Sequence, residues 1–125
     1  MRLTKNFVLS EFGCKDGTPV PNDKIELIKE LAENLQILRD HVEKPIRINS
    51  AYRTEEYNQR IGGAPRSQHV ACRAADIVVI GMLPNIVQDT IEDLIESGKM
   101  AEGGMGRYGT FTHYDIRGYR ARWQG

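Results

Sequence analysis

A run of seven residues, Ala74-Ala75-Asp76-Ile77-Val78-Val79-Ile80, does most to limit what this chain can become. Its short length and β-branched, apolar content read as a buried strand. One acidic residue, Asp76, interrupts it. A buried, ionised carboxylate costs several kcal/mol unless a partner charge or a metal ion compensates it. The run therefore sets a structural expectation and a chemical question together.

The elements around it alternate. Asn6 to Phe12 holds room for one helical turn, and Gly13 to Pro21 is a Gly/Pro-rich loop. Asn22 is a candidate N-cap for a helix in which Ile25, Ile28, Leu31, Leu35 and Leu38 recur at three- and four-residue steps, ending before Pro45. Ile46 to Ser50 alternates as a short strand does. Thr54 caps a short helix that closes near Gly62-Gly63. Pro84 opens a second amphipathic helix, with Ile86, Val87, Thr90, Ile91, Leu94 and Ile95 expected inward and Gly98 as its stop. Met105 to Tyr108 and Phe111 to Ile116 read as two strands joined through Gly109-Thr110. The expected fold class is α+β, a largely antiparallel sheet with helices packed on one side, in one domain spanning residues 1–125.

Composition narrows the functional classes. Seventeen Lys+Arg balance seventeen Asp+Glu, so no basic excess exists to steer the chain to nucleic acid. No apolar run approaches the roughly 18–20 residues of a membrane helix, so no membrane insertion is expected. The first six residues, Met1-Arg2-Leu3-Thr4-Lys5-Asn6, lack the apolar core of a secretory signal. Two cysteines, Cys14 and Cys72, cannot frame a disulfide scaffold and read as free thiols. Any metal site must then draw on carboxylates and on the three histidines, His41, His69 and His113. His41, late in the first helix, suits that helix's C-terminal end as a structural residue.

Three stretches carry candidate chemistry. In Ser67-Gln68-His69-Val70-Ala71-Cys72-Arg73-Ala74-Ala75-Asp76, an imidazole precedes the embedded carboxylate. Imidazole nitrogen and carboxylate oxygen both suit zinc; a loop histidine and a turn-capping aspartate is the alternative. In Phe111-Thr112-His113-Tyr114-Asp115-Ile116, His113 and Asp115 share one strand face, either as a simple ion pair or as a further ligand with a spare carboxylate. His69, Asp76 and His113 together allow three protein ligands with an open fourth position. Asp115 is then placed to act on a water at the metal or to hold His113 in one tautomer. In Asn49-Ser50-Ala51-Tyr52-Arg53-Thr54, Arg53 is a candidate clamp for a substrate carboxylate or an oxyanion, or else a surface partner of Glu55 or Glu56.

These stretches carry a family resemblance. Ser67-x-His69-x-x-Cys72-x-Ala74-x-Asp76 resembles the Ser-x-His-x-x-Gly-x-Ala-x-Asp signature of zinc D-Ala-D-Ala carboxypeptidases and bacteriophage endolysin peptidases, which share the hedgehog-type zinc peptidase fold. Ser50-Ala51-Tyr52-Arg53-Thr54 is similar to the family's Ser-Gly-Tyr-Arg-Thr element. Gly106-Arg107-Tyr108, then Phe111 to Asp115 and the Arg122-Trp123 ending, resemble a subgroup with a His-x-Asp strand. The likeness runs in order from about Leu9 to Trp123. It implies a peptidase with one zinc per chain, held by His69, Asp76 and His113, cutting peptidoglycan stem peptides through a metal-activated water. Arg53 would polarise the scissile carbonyl, and Ser67, Tyr52 and Arg53 would contact substrate. A non-catalytic wall-binding or zinc-stabilised domain of the same fold is the alternative. The expected state is a monomer, made in the cytoplasm and acting on the wall after release, as for a phage or prophage protein.

Two departures from the family pattern stand out. Cys72 and Ala51 occupy family glycine positions, and a glycine needed for a positive φ would leave Cys72 strained or available as a soft ligand. Thr110 and Phe111 stand where relatives place the base, so that role falls by elimination to Asp115. Gly104 to Gly109 matches Gly-x-Gly-x-x-Gly in spacing, but a helix precedes it and a strand follows, the reverse of a dinucleotide site. In the tail, Trp123 is expected to pack on the sheet while Arg120 and Arg122 face solvent or an acidic polymer.

Overall fold

Two apolar stripes become the long helices in the computed structural model, which describes residues 1–125. Helix α1 (Ile25–Val42) buries Ile28, Leu31, Ala32, Leu35 and Leu38. Asn22 is not its cap: residues 22–24 form a separate 3-10 turn, and α1 starts after Lys24 without a side-chain cap. The short α2 (Glu55–Arg60) is capped as expected, with Thr54 Oγ1 accepting from the Tyr57 N–H. Helix α3 (Pro84–Glu96) buries Val87, Gln88, Ile91 and Leu94. Ile86 was expected inward and is exposed, because the 87–91–94 stripe already faces the sheet and position 86 lies a helical step off it.

The strands are β1 (Ile46–Ser50), β2 (Ala74–Val79), β3 (Gly104–Arg107), β4 (Thr112–Asp115) and β5 (Ala121–Gln124). They form one mixed sheet in the order β1-β2-β4-β3-β5. All neighbours are antiparallel except β3 and β5, which run parallel. The tail thus supplies a strand that local patterning had not indicated. Its arginines differ from expectation too: Arg122 pairs with Glu92 and Glu102 at 2.8 and 2.9 Å, stitching β5 to α3. Only Arg120 is exposed, over the same two carboxylates.

Strand pleating sorts the two faces. Ala75, Ile77 and Val79 of β2 and Tyr114 of β4 join α1 and α3 in a core of 23 buried residues. Gln88 fastens α3 to the β3–β4 turn through the carbonyls of Tyr108 and Phe111 (3.1 and 3.3 Å). The alternate residues face the other side, where the ladder sets Asp76 of β2 directly opposite His113 of β4. No helix is long and apolar enough to cross a membrane.

Entry into β2 runs through Cys72, which is fully buried at φ 62°. The backbone at this position is left-handed, and a side chain in it costs roughly 1–2 kcal/mol. The turn holds because the Cys72 N–H donates to the His69 carbonyl (3.2 Å) while the thiol fills core space. Burial pushes that thiol up to about 11, and Cys72 does not belong to the group of side chains gathered within ligand distance of one another, His69, Asp76 and His113. Removing the side chain relieves backbone strain but empties a buried site, and the two effects nearly cancel. Cys72→Gly should therefore stay within about 1 kcal/mol of the parent, while the β-branched Cys72→Val should lose roughly 2 kcal/mol or more. Urea unfolding of the pair checks this; equal losses would mean the φ is not the constraint.

Candidate metal centre

His69 is held from behind. Its Nδ1 lies 2.8 Å from the Ala51 carbonyl oxygen. A carbonyl only accepts, so Nδ1 carries a proton, and in the neutral ring Nε2 keeps its lone pair. The Ser67 hydroxyl accepts from the His69 backbone N–H (3.1 Å) and shapes the turn that presents the ring. Nε2 points at Asp76 Oδ1, 3.2 Å away.

His113 is held the same way from the opposite side. Its Nε2 donates to Asp115 Oδ2 at 2.7 Å, which leaves Nδ1 facing the same Asp76 Oδ1, again at 3.2 Å. Burial would raise the Asp115 carboxyl, but hydrogen bonds from His113, Arg117 and the Gly104 N–H outweigh it and hold the group well below the usual carboxylate range. The two rings meet edge to face, 5.2 Å between centroids.

Each backing acceptor thus turns a lone pair inward, and both lone pairs converge on an anionic oxygen. With both rings neutral these are three acceptors with no donor among them, and they repel one another; a cation in their midst reverses the sign. Ligand atoms at about 2.0–2.1 Å from a tetrahedral zinc lie about 3.3–3.4 Å apart, close to the two 3.2 Å separations seen here. All three donor atoms fall within 4.8 Å of one another and all three residues are buried. The donor set suits zinc.

The site opens into a cleft of about 700 Å³. Arg53 lies on its wall, 14% exposed, with Nη2 3.3 Å from Asp76 Oδ2. Ser50 Oγ and Asn58 Oδ1 fix the other guanidinium nitrogens at 3.2 Å each. Arg53 therefore faces the centre rather than Glu55 or Glu56. Ser67 lines the cleft as well. Tyr52 does not. It packs half-buried against the core, beside a separate surface hollow with Asp16, Thr54 and Glu55, because its strand-end neighbour Ala51 is the residue that turns toward His69.

Asp115 also lies away from the cleft. Its side chain is 0% exposed and its oxygens are taken by His113, Arg117 and the Gly104 N–H. Of the two roles open to it, the buried position leaves the second, holding His113, and takes it out of reach of a cleft water. Asp76 is the one acidic residue lining the cleft. The opposite wall is aromatic: Tyr108 and Phe111 stack at 4.3 Å, and Trp123 sits 4.9 Å from His113 with its Nε1 donating to the Tyr108 hydroxyl. The Phe111–Tyr108 stack was not anticipated as part of the site, since the two residues meet only when the β3–β4 turn folds back.

No curated protein matches the sequence. The family model described as Peptidase M15 matches residues 3–115, which takes in the Ser50–Arg53 junction, His69, Asp76, His113 and Asp115. With nine-tenths of its length covered by that match and two imidazoles and a carboxylate gathered in one cleft, the chain belongs to the peptidase M15 family.

Proposed function

We propose that this peptidase is zinc-dependent and hydrolyses peptide bonds in peptidoglycan stem peptides. The observation that carries the reading is the pair of fixed imidazole tautomers converging with Asp76 beside an ordered guanidinium. His69 Nε2, His113 Nδ1 and Asp76 Oδ1 would hold one zinc ion. Bound there, zinc supplies Lewis acidity that makes water a competent nucleophile near neutral pH and polarises a carbonyl.

The protein's own groups do the rest. Asp115 keeps the His113 proton on Nε2, and the Ala51 carbonyl keeps the His69 proton on Nδ1, so neither ring turns away. Arg53 sits where negative charge grows on the carbonyl oxygen of a peptide lying in the cleft, and its fixed neighbours mean that no reorganisation is needed then. The aromatic wall, with Trp123 and the Tyr108–Phe111 stack, excludes water from one side and offers flat apolar surface to a substrate backbone. The chain acts as a monomer on a wall substrate, with no nucleic-acid partner, after release from the cytoplasm where it is made.

One observation favours the second reading, a wall-binding domain that does not catalyse: no carboxylate besides Asp76 lines the cleft to accept a proton. Purified sacculi separate the two. A peptidase solubilises muropeptides and a chelator stops it; a binder co-sediments and releases nothing. The zinc reading further expects about one zinc per chain by elemental analysis of chelator-free protein, with His69→Ala losing both metal and wall hydrolysis. Persistent absence of metal after zinc is added would remove it. Arg53→Ala should keep the metal and lose about 10²–10³-fold in kcat; parental turnover in that variant would end the oxyanion role.

A further inference from the structure

Asp115 receives five N–H groups. Oδ1 accepts from the Gly104 N–H (2.8 Å), the Arg117 backbone N–H (3.1 Å) and Arg117 Nε (2.9 Å). Oδ2 accepts from Arg117 Nη2 and His113 Nε2, both at 2.7 Å. A carboxylate has about four lone-pair sites, so this one is saturated, and three of its five donors belong to Arg117. The carboxylate can neither rotate nor take a proton while that fork is in place.

The fork is itself immobilised. The guanidinium lies over the Trp123 ring at 5.3 Å and over the Tyr119 ring at 5.6 Å. Gly104 makes room for it: a Cβ there would stand 2.3 Å from Asp115 Oδ2 and 2.8 Å from Arg117 Nε and Nη2. A bare backbone is what lets arginine, carboxylate and strand close on one another. An ion pair placed only for stability does not need a glycine bay, a planar bidentate fork and an aromatic clamp around a fully buried carboxylate.

We infer that Arg117 is a positioning residue which, through Asp115, sets the tautomer and orientation of His113 and hence the zinc affinity of the centre. The inference rests on the zinc reading above. Arginine rather than lysine is required, because a point charge satisfies one carboxylate oxygen and leaves the other free to turn. Without the fork, Asp115 no longer holds a fixed acceptor toward Nε2, and the inward lone pair on Nδ1 is lost for part of the population.

The test uses Arg117→Lys, Arg117→Gln and, as control, Arg122→Gln, which breaks that arginine's own pairs with Glu92 and Glu102 without touching Asp115. Zinc affinity is read by competition with a chelating dye, and the His113 tautomer by ring 15N NMR shifts of the full chain. The two Arg117 variants should bind zinc about 10–100-fold more weakly and lose the single Nε2–H signature. Arg122→Gln should melt lower while keeping parental affinity and tautomer. Parental affinity and tautomer in Arg117→Lys would overturn the inference, as would a zinc-loaded parent with the His113 proton on Nδ1, a reading that requires no variant to fold. A parent that binds no zinc at all sinks the zinc reading itself, a result distinct from either.

Discussion

A carboxylate on the inner register of a sheet with two imidazole lone pairs aimed at it is electrostatically unfavourable by itself. Everything around the centre serves to hold that arrangement open. Ala51 and Asp115 fix the two ring protons on the outer nitrogens, Arg53 neutralises the far oxygen of Asp76, and the β2–β4 ladder sets Asp76 across from His113. The centre is preorganised in the sense that its outer hydrogen bonds, rather than the ligands alone, decide where the lone pairs point.

The fold divides its labour between the two faces of the sheet. One face is covered by α1 and α3 and carries the core; the other carries polar and aromatic side chains that could not share that core without large desolvation costs. The β5 strand matters to both faces. Arg122 ties it to α3, and Trp123 brings an indole against His113 and under the Arg117 guanidinium. The C-terminal segment is thereby part of the centre's wall. The left-handed turn at Cys72 is a local cost accepted so that His69 and Asp76, seven residues apart, can face each other.

Much of this was legible from residues alone. The α1 and α3 stripes, the Thr54 cap and the run from Ala74 obey short-range periodicities that survive folding, because burial of one face is what selects them. The family motifs named His69, Asp76, His113 and Arg53 by type and spacing. Asn22 misled because a capping residue is recognised by an accepted hydrogen bond, and a 3-10 turn intervened. Ile86 misled because a window of apolar residues does not say which of them faces the sheet.

By itself the sequence determined which side chains have metal-binding chemistry and which segments are amphipathic, since these depend on residue type and near neighbours. Only the tertiary structure decided that Asp115 is a sealed hydrogen-bond acceptor rather than a cleft base, that Tyr52 turns away, and that the tail is a strand beside β3. Those outcomes depend on contacts between residues distant in the chain, where the register of one strand against another chooses which face, and therefore which chemistry, a side chain joins.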